Sequence, residues 1–135
     1  MIKSCFTFIS IFFYVSIFAQ GESNIWYFGI NAGLNFNSNP PTSLLDLPIG
    51  SMFSSEGCST ISDSNGNVLF YTNGEKVWNK NFQVMFNGNN LAGHNSSTQS
   101  SAIIPYPGTY NFTENRFDKY FLVTLDDYTV QAPIA

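Results

Sequence analysis

Three Asn-Gly steps, Asn65-Gly66, Asn73-Gly74 and Asn87-Gly88, restrict this chain to folds in which it reverses at short intervals. Asn-Gly is the strongest local hairpin signal, because a type I′ turn holds positive φ at both central positions, which these two residues tolerate. The segments between the steps have strand character. Cys58–Ser62 alternates apolar and polar, turns through Asp63-Ser64-Asn65-Gly66 and returns as Asn67–Thr72. Asn73-Gly74 then sends the chain into Glu75–Asn79, and Phe82–Phe86 leads up to Asn87-Gly88. Three or four short antiparallel strands joined by tight turns make one meander sheet.

The flanks have the same texture. No segment outside the apolar N-terminus carries apolar residues at helical spacing over three turns, so strands and turns are expected throughout. The first strand is read over Ile25–Ile30, continuing through Ala32–Phe36. Asn37–Ser43 is a loop, because Pro40 and Pro41 remove ladder donors. Leu44–Phe53 is an irregular connection and Asn89–Ser97 a polar loop holding His94. Thr98–Pro105 is a strand, Pro107–Arg116 a connection, and Lys119–Leu125 a strand apolar on both sides, expected between two packed layers. Aromatic residues make up 17% of the chain, which excludes a disordered class. The fold class is all-β, with antiparallel meander sheets. Units of roughly 40–50 residues, each with apolar strands around a hairpin, suit the four-stranded blades of a β-propeller. About two such blades fit, which is an incomplete propeller, since closed ones have about four or more.

Residues 1–19 have one cation, Lys3, then an almost unbroken apolar run from Phe6 to Phe18, then Ala19. That is the layout of a secretory signal peptide, with cleavage expected after Ala19, leaving 20–135 as the β segment. The run stops at Gln20-Gly21-Glu22, short of the about 20 apolar residues of a membrane span, so no span is expected after cleavage. Loss of Lys3 leaves Lys76, Lys80, Arg116 and Lys119 and makes the net charge one unit more negative than −4. Four scattered cations on an acidic surface repel phosphate backbones, which argues against nucleic acid as partner. Cys58 is the one cysteine outside the signal, so no disulfide is expected within 20–135.

The blocks Asn24–Gly29 with Ala32–Phe36, Glu56–Gly74, Val77-Trp78-Asn79 and Gly93–Ser100 resemble the N-terminal region of large secreted or surface proteins of Bacteroidetes. The resemblance implies a WD-repeat or quinoprotein-type propeller. Proteins of that kind continue into immunoglobulin-like or PKD-type modules and a gliding-motility-associated C-terminal domain used for type IX secretion. It implies further blades of a longer chain as partners, and it carries no catalytic residues.

Other constellations are weighed on their own chemistry. Asp63-Ser64-Asn65-Gly66-Asn67 offers oxygens at alternate positions, as a Ca²⁺ loop does, but lacks the trailing acid; a hairpin turn accounts for each residue. Asp126 and Asp127 point to opposite faces if they extend a strand, so with Glu56 they read as surface charges rather than a glycosidase pair. His94 has no second His or usable Cys for zinc, and no nucleophile-elbow motif accompanies a Ser97–His94–Asp triad. Its ring is expected to bond loop backbone or a nearby Ser and to brace neighbouring blades. Cys58 reads as a buried strand residue. Trp26, Tyr27, Tyr71 and Trp78 could stack on sugars, but their alternation with polar residues points to the core. Asn95 and Asn111 fit the N-x-Ser/Thr acceptor pattern.

The expectation is therefore an exported, non-catalytic binding or adhesion module, secreted or at the cell surface, with a protein or glycan ligand, no cofactor and no metal. The alternative is a fragment of a secreted carbohydrate-active enzyme on a propeller scaffold. A third reading is a remnant whose uncovered sheet face and edges invite aggregation.

Overall fold

The computed structural model describes residues 21–44, 47–48 and 50–126. The expected signal segment 1–19, Asp127 and Pro133 lie outside them. After a single 3-10 turn at Gly21–Ser23 come strands only: β1 Ile25–Phe28, β2 Ala32–Asn35, β3 Thr42–Ser43, β4 Ser59–Ser62, β5 Val68–Thr72, β6 Val77–Asn79, β7 Ser101–Pro105, β8 Tyr110–Asn111, β9 Arg116–Phe117 and β10 Tyr120–Thr124. All pairings are antiparallel. They give a first sheet β1-β2-β3, a second β4-β5-β6, a third β7-β10 and a small arm β8-β9. The chain is all-β.

The expected single strand from Ile25 to Phe36 is instead a hairpin. Gly29 at φ 60 and Asn31 at φ 50 turn the chain over, and Tyr27 then pairs with Gly33. A strand cannot hold two such residues two apart, and Asn31 is a tolerated non-Gly residue there. Within the expected loop, Thr42 and Ser43 form β3 against Asn35 and Leu34. Phe82–Phe86 is not a full strand. Phe82 sits at φ 62, and the segment makes one bridge, Val84 to Trp78. The connection 107–116 contains β8, and the hairpin to β9 turns at Asn115 with φ 51.

The Asn-Gly steps reverse the chain, but not as type I′ turns. Only Gly66 and Gly74 of the first two pairs have positive φ, and only Asn87 of the third. Side-chain capping replaces the second left-handed residue. Asp63 Oδ1 accepts from the amides of Asn65 and Asn67 at 2.9 and 2.8 Å, and Asn73 Oδ1 from those of Glu75 and Lys76 at 3.0 and 2.9 Å. Such Asx bonds satisfy turn amides that would otherwise need water.

β5 is the middle strand of the second sheet, and its side chains reach both neighbouring sheets. Tyr71 meets Tyr27 of β1 edge-to-face at 4.8 Å and stacks on Trp78 at 5.4 Å, while Phe70 meets Tyr120 of β10 at 5.3 Å. Adjacent strand residues face opposite sides, so the second sheet is covered on one side by the first and on the other by the third. The main core is Ile25, Tyr27, Met52, Tyr71 and Trp78. Burying each such side chain contributes about 1.5–3 kcal/mol.

The leading strands of the three sheets are edge strands that lie side by side, β4 between β1 and β7. Small polar side chains stitch them. Tyr27 N–H donates to Thr60 Oγ1 at 3.1 Å, and Ser59 Oγ donates to Ser101 O at 2.8 Å. The strand β10, expected to be buried on both sides, alternates instead, with Phe121 and Val123 facing outward.

Candidate functional site

Two places gather functional groups. The first is a polar loop hub built by 93–100, where Glu56, His94, Asn95 and Ser97 meet. Ser55 and Glu56 N–H both donate to Asn95 O at 3.0 and 3.2 Å, Gly57 N–H to Ser97 O at 3.0 Å, and His94 N–H to Leu125 O at 3.2 Å. Glu56 and Asp126, distant in sequence, thus come to the same end of the molecule. Glycine at 57 and 93 is required by close approach. A Cβ on Gly57 would lie 2.4 Å from Ser100 N, and one on Gly93 2.5 Å from Gly74 O.

Several of the hub's polar groups are engaged in holding it together. Glu56 Oε2 accepts from Thr98 Oγ1 at 2.6 Å, and Glu75 Oε1 accepts from Asn95 Nδ2 at 2.8 Å. His94 Nδ1 accepts from Ser96 N–H at 3.2 Å and lies 2.8 Å from Ser96 Oγ. A neutral ring therefore carries its proton on Nε2. Ser97, the candidate nucleophile, gives its amide to His94 O at 3.1 Å. Among the described residues no three His, Cys, Asp or Glu form a group that could hold a metal ion.

Cys58 lies against the core, with its thiol donating to Tyr27 O at 3.2 Å. Burial pushes its pKa up, which lowers the thiolate fraction on which nucleophilicity depends. Of the aromatic quartet, Tyr27, Tyr71 and Trp78 are buried and Trp26 is exposed beside Phe36 at 4.9 Å. The expected core placement therefore describes Tyr27, Tyr71 and Trp78, and Trp26 departs from it. In the Asp63–Asn67 turn, Asp63 Oδ2 accepts from Asn67 Nδ2 at 2.9 Å, so both its oxygens serve the turn.

The second place was not foreseen in the sequence. A cleft of about 640 Å³ opens between the second sheet and the β8-β9 arm. Phe70, Phe117 and Tyr120 form its apolar side, with Tyr120 edge-on to Phe70 at 5.3 Å and to Phe117 at 6.2 Å. Lys80, Asn81, Glu114, Arg116 and Asp118 make a rim of both charge signs. Arg116 Nε donates to Glu114 Oε2 at 2.7 Å, and Asn111 Nδ2 donates to Asp118 Oδ1 at 3.4 Å. The arm is fixed in place by Ser64, whose N–H and Oγ donate to Asn115 O at 2.9 and 2.7 Å. Burial raises the Tyr120 phenol pKa, with smaller lowering effects from a Phe117 backbone hydrogen bond and Arg116. A signal for this site exists in Tyr110–Phe117, where aromatics flank Asn111 and Asn115 as turn formers. The charges that complete it come from Lys80 and Asp118, which no local pattern connects.

Among the described residues no helix is long and apolar enough to cross a membrane. No protein-family model matches the chain, and neither a curated protein nor a solved structure is significantly similar to it.

Proposed function

We propose that this chain is an exported, non-catalytic binding module, secreted or at the cell surface, whose glycan or protein ligand seats in the cleft beside the β8-β9 arm. The observation that carries the reading is the cleft's make-up. Aromatic rings line one side, a mixed-sign polar rim offers donors and acceptors, and the volume of about 640 Å³ suits a small ligand or a short segment of a larger one. The sheets are read as blades of a propeller-like scaffold, a reading supported by the side-by-side leading strands β1, β4 and β7. Exposed loops on such a scaffold do the contacting. Export rests on the signal-like segment 1–19.

The enzymatic alternative has one observation in its favour: Asp63, Glu114 and Asp118 share the cleft. Against it, Asp63 serves its turn and Glu114 is paired with Arg116. The purified chain is expected to bind members of a glycan or peptide array saturably without releasing reducing sugar. Lys80→Ala and Asn81→Ala, both on the exposed rim, should weaken that binding about tenfold, or about 1.4 kcal/mol. Sugar release that disappears in Glu114→Gln would establish the enzyme instead.

A further inference from the structure

The three Asn-Gly steps serve as turns, and they are also the places where asparagine, a thermolabile residue, is chemically least durable. The glycine nitrogen, with no Cβ beside it to hinder approach, attacks the asparagine side-chain carbonyl. A bond forms from Gly N to Asn Cγ and the amide proton goes to solvent base. The Cγ–Nδ2 bond breaks, and the departing NH2 takes a proton from water and leaves as ammonia. Water then opens the cyclic imide at either carbonyl, giving aspartate or isoaspartate, the latter with one extra methylene in the main chain.

A folded chain permits this only where the side-chain amide is free to swing onto the backbone and the glycine nitrogen can leave its own hydrogen bond. Asn73-Gly74 meets neither condition. Asn73 is 3% exposed, its Nδ2 donates to Phe53 O at 2.8 Å, and its Oδ1 takes the amides of Glu75 and Lys76. Gly74 N–H donates to Oγ1 of the buried Thr72 at 3.0 Å, so freeing this step means opening the buried end of β5.

Asn65 and Asn87 are exposed, and among the described residues nothing bonds either side-chain amide. Their turns differ. Gly66 N–H donates to Asp63 O at 2.9 Å, and Gly66 O accepts from Asn37 Nδ2 at 3.0 Å. Asp63 Oδ1 holds the amides on both sides of Gly66, and Ser64 ties the turn to Asn115 and Gly21. The Asp63 carboxylate also opposes the negative charge that builds as Gly66 N loses its proton. The third turn hangs from less. Gly88 N–H donates to Met85 O and Gly88 O accepts from Val77 N–H, both at 2.8 Å, while Phe86 just before it is 95% exposed. The segment leading into it makes one bridge, Val84 to Trp78, and no charged residue lies between Asn81 and Gly93.

We propose that Asn87 is the site of spontaneous deamidation in the folded chain, with Asn65 slower and Asn73 protected until the second sheet opens. The new carboxylate stands two residues from Met85, which lines the cleft, and isoaspartate there lengthens the turn whose Gly88 carbonyl holds Val77.

The test holds the folded full chain at mildly alkaline pH and follows the mass gain at each step by peptide mapping and mass spectrometry. Asn87 should convert first and Asn73 at least about tenfold more slowly, a ratio that about 1.4 kcal/mol of extra local opening supplies. In guanidinium chloride the three rates should converge, because sequence alone then sets them. Asn87→Gln, its fold checked by circular dichroism, should remove the fast phase and leave the other two steps unchanged. Asn65 or Asn73 converting ahead of Asn87 in the folded chain would overturn the inference. So would the same ranking persisting in guanidinium chloride, or a folded chain that keeps Asn87 intact while the unfolded one loses it.

Discussion

Tyr71 sits at the centre of the main core. It is fully buried, touches Tyr27, Trp78 and Phe82 with its ring, and donates its hydroxyl to Ser51 O at 2.9 Å. Removing that hydroxyl in Tyr71→Phe leaves a buried carbonyl short of a donor and should cost about 1–2 kcal/mol at neutral pH. Burial, with a further push from Tyr27, raises its pKa well above the ordinary 10.0, and burial does the same for Tyr27 and Tyr120. A phenol with a raised folded pKa stays neutral in the folded protein after its unfolded counterpart has ionised. The stability it contributes is therefore complete below about pH 10 and is lost as pH climbs toward the folded value. Cys58, raised from 9.0, begins the decline slightly earlier. Urea midpoints measured from pH 8 upward should hold level to about pH 9 and fall steeply beyond about pH 10. Tyr71→Phe should start lower and fall less. A midpoint level across that range would refute the buried placement of these rings.

At the scale of strands, local chemistry and tertiary context divide the explanatory work. The hairpin β4-β5 and its reversal into β6 are legible because Asp63, Asn65-Gly66 and Asn73-Gly74 act within a few residues of themselves. The turn type is not, because it depends on whether a neighbouring side chain caps the amides, as Asp63 and Asn73 do. The reversal at Gly29–Asn31 is hidden by apolar residues on both sides, which alternate smoothly through the turn. In β10 the run Tyr120–Leu125 is apolar at both parities, and only packing against the second sheet, Tyr120 on Phe70, decides which half is covered by it. The hub was partly legible as the Gly93–Ser100 block. The cleft was not, since it joins Lys80 to Glu114 and Arg116 across three elements. Amide exchange follows the same division. The amides of β5, bonded on both edges and covered on both faces, should exchange slowest, and those of β10, bonded to β7 along one edge only, much faster. Comparable protection in the two strands would contradict the layer order.

At the scale of the whole molecule, three antiparallel sheets line up through their leading strands, with the middle one between the outer two. The cleft follows from that order. The cleft forms where the arm leaves the third sheet beside the second. Nuclear Overhauser contacts in the purified chain test the order most directly. Contacts from Tyr27 to Thr60 and from Ser59 to Ser101 are expected in the same spectrum, together with Tyr71 to Tyr27 and Phe70 to Tyr120. A folded protein in which Phe70 and Tyr71 contact the same neighbouring sheet, or in which β4 lacks contact with either β1 or β7, would contradict it.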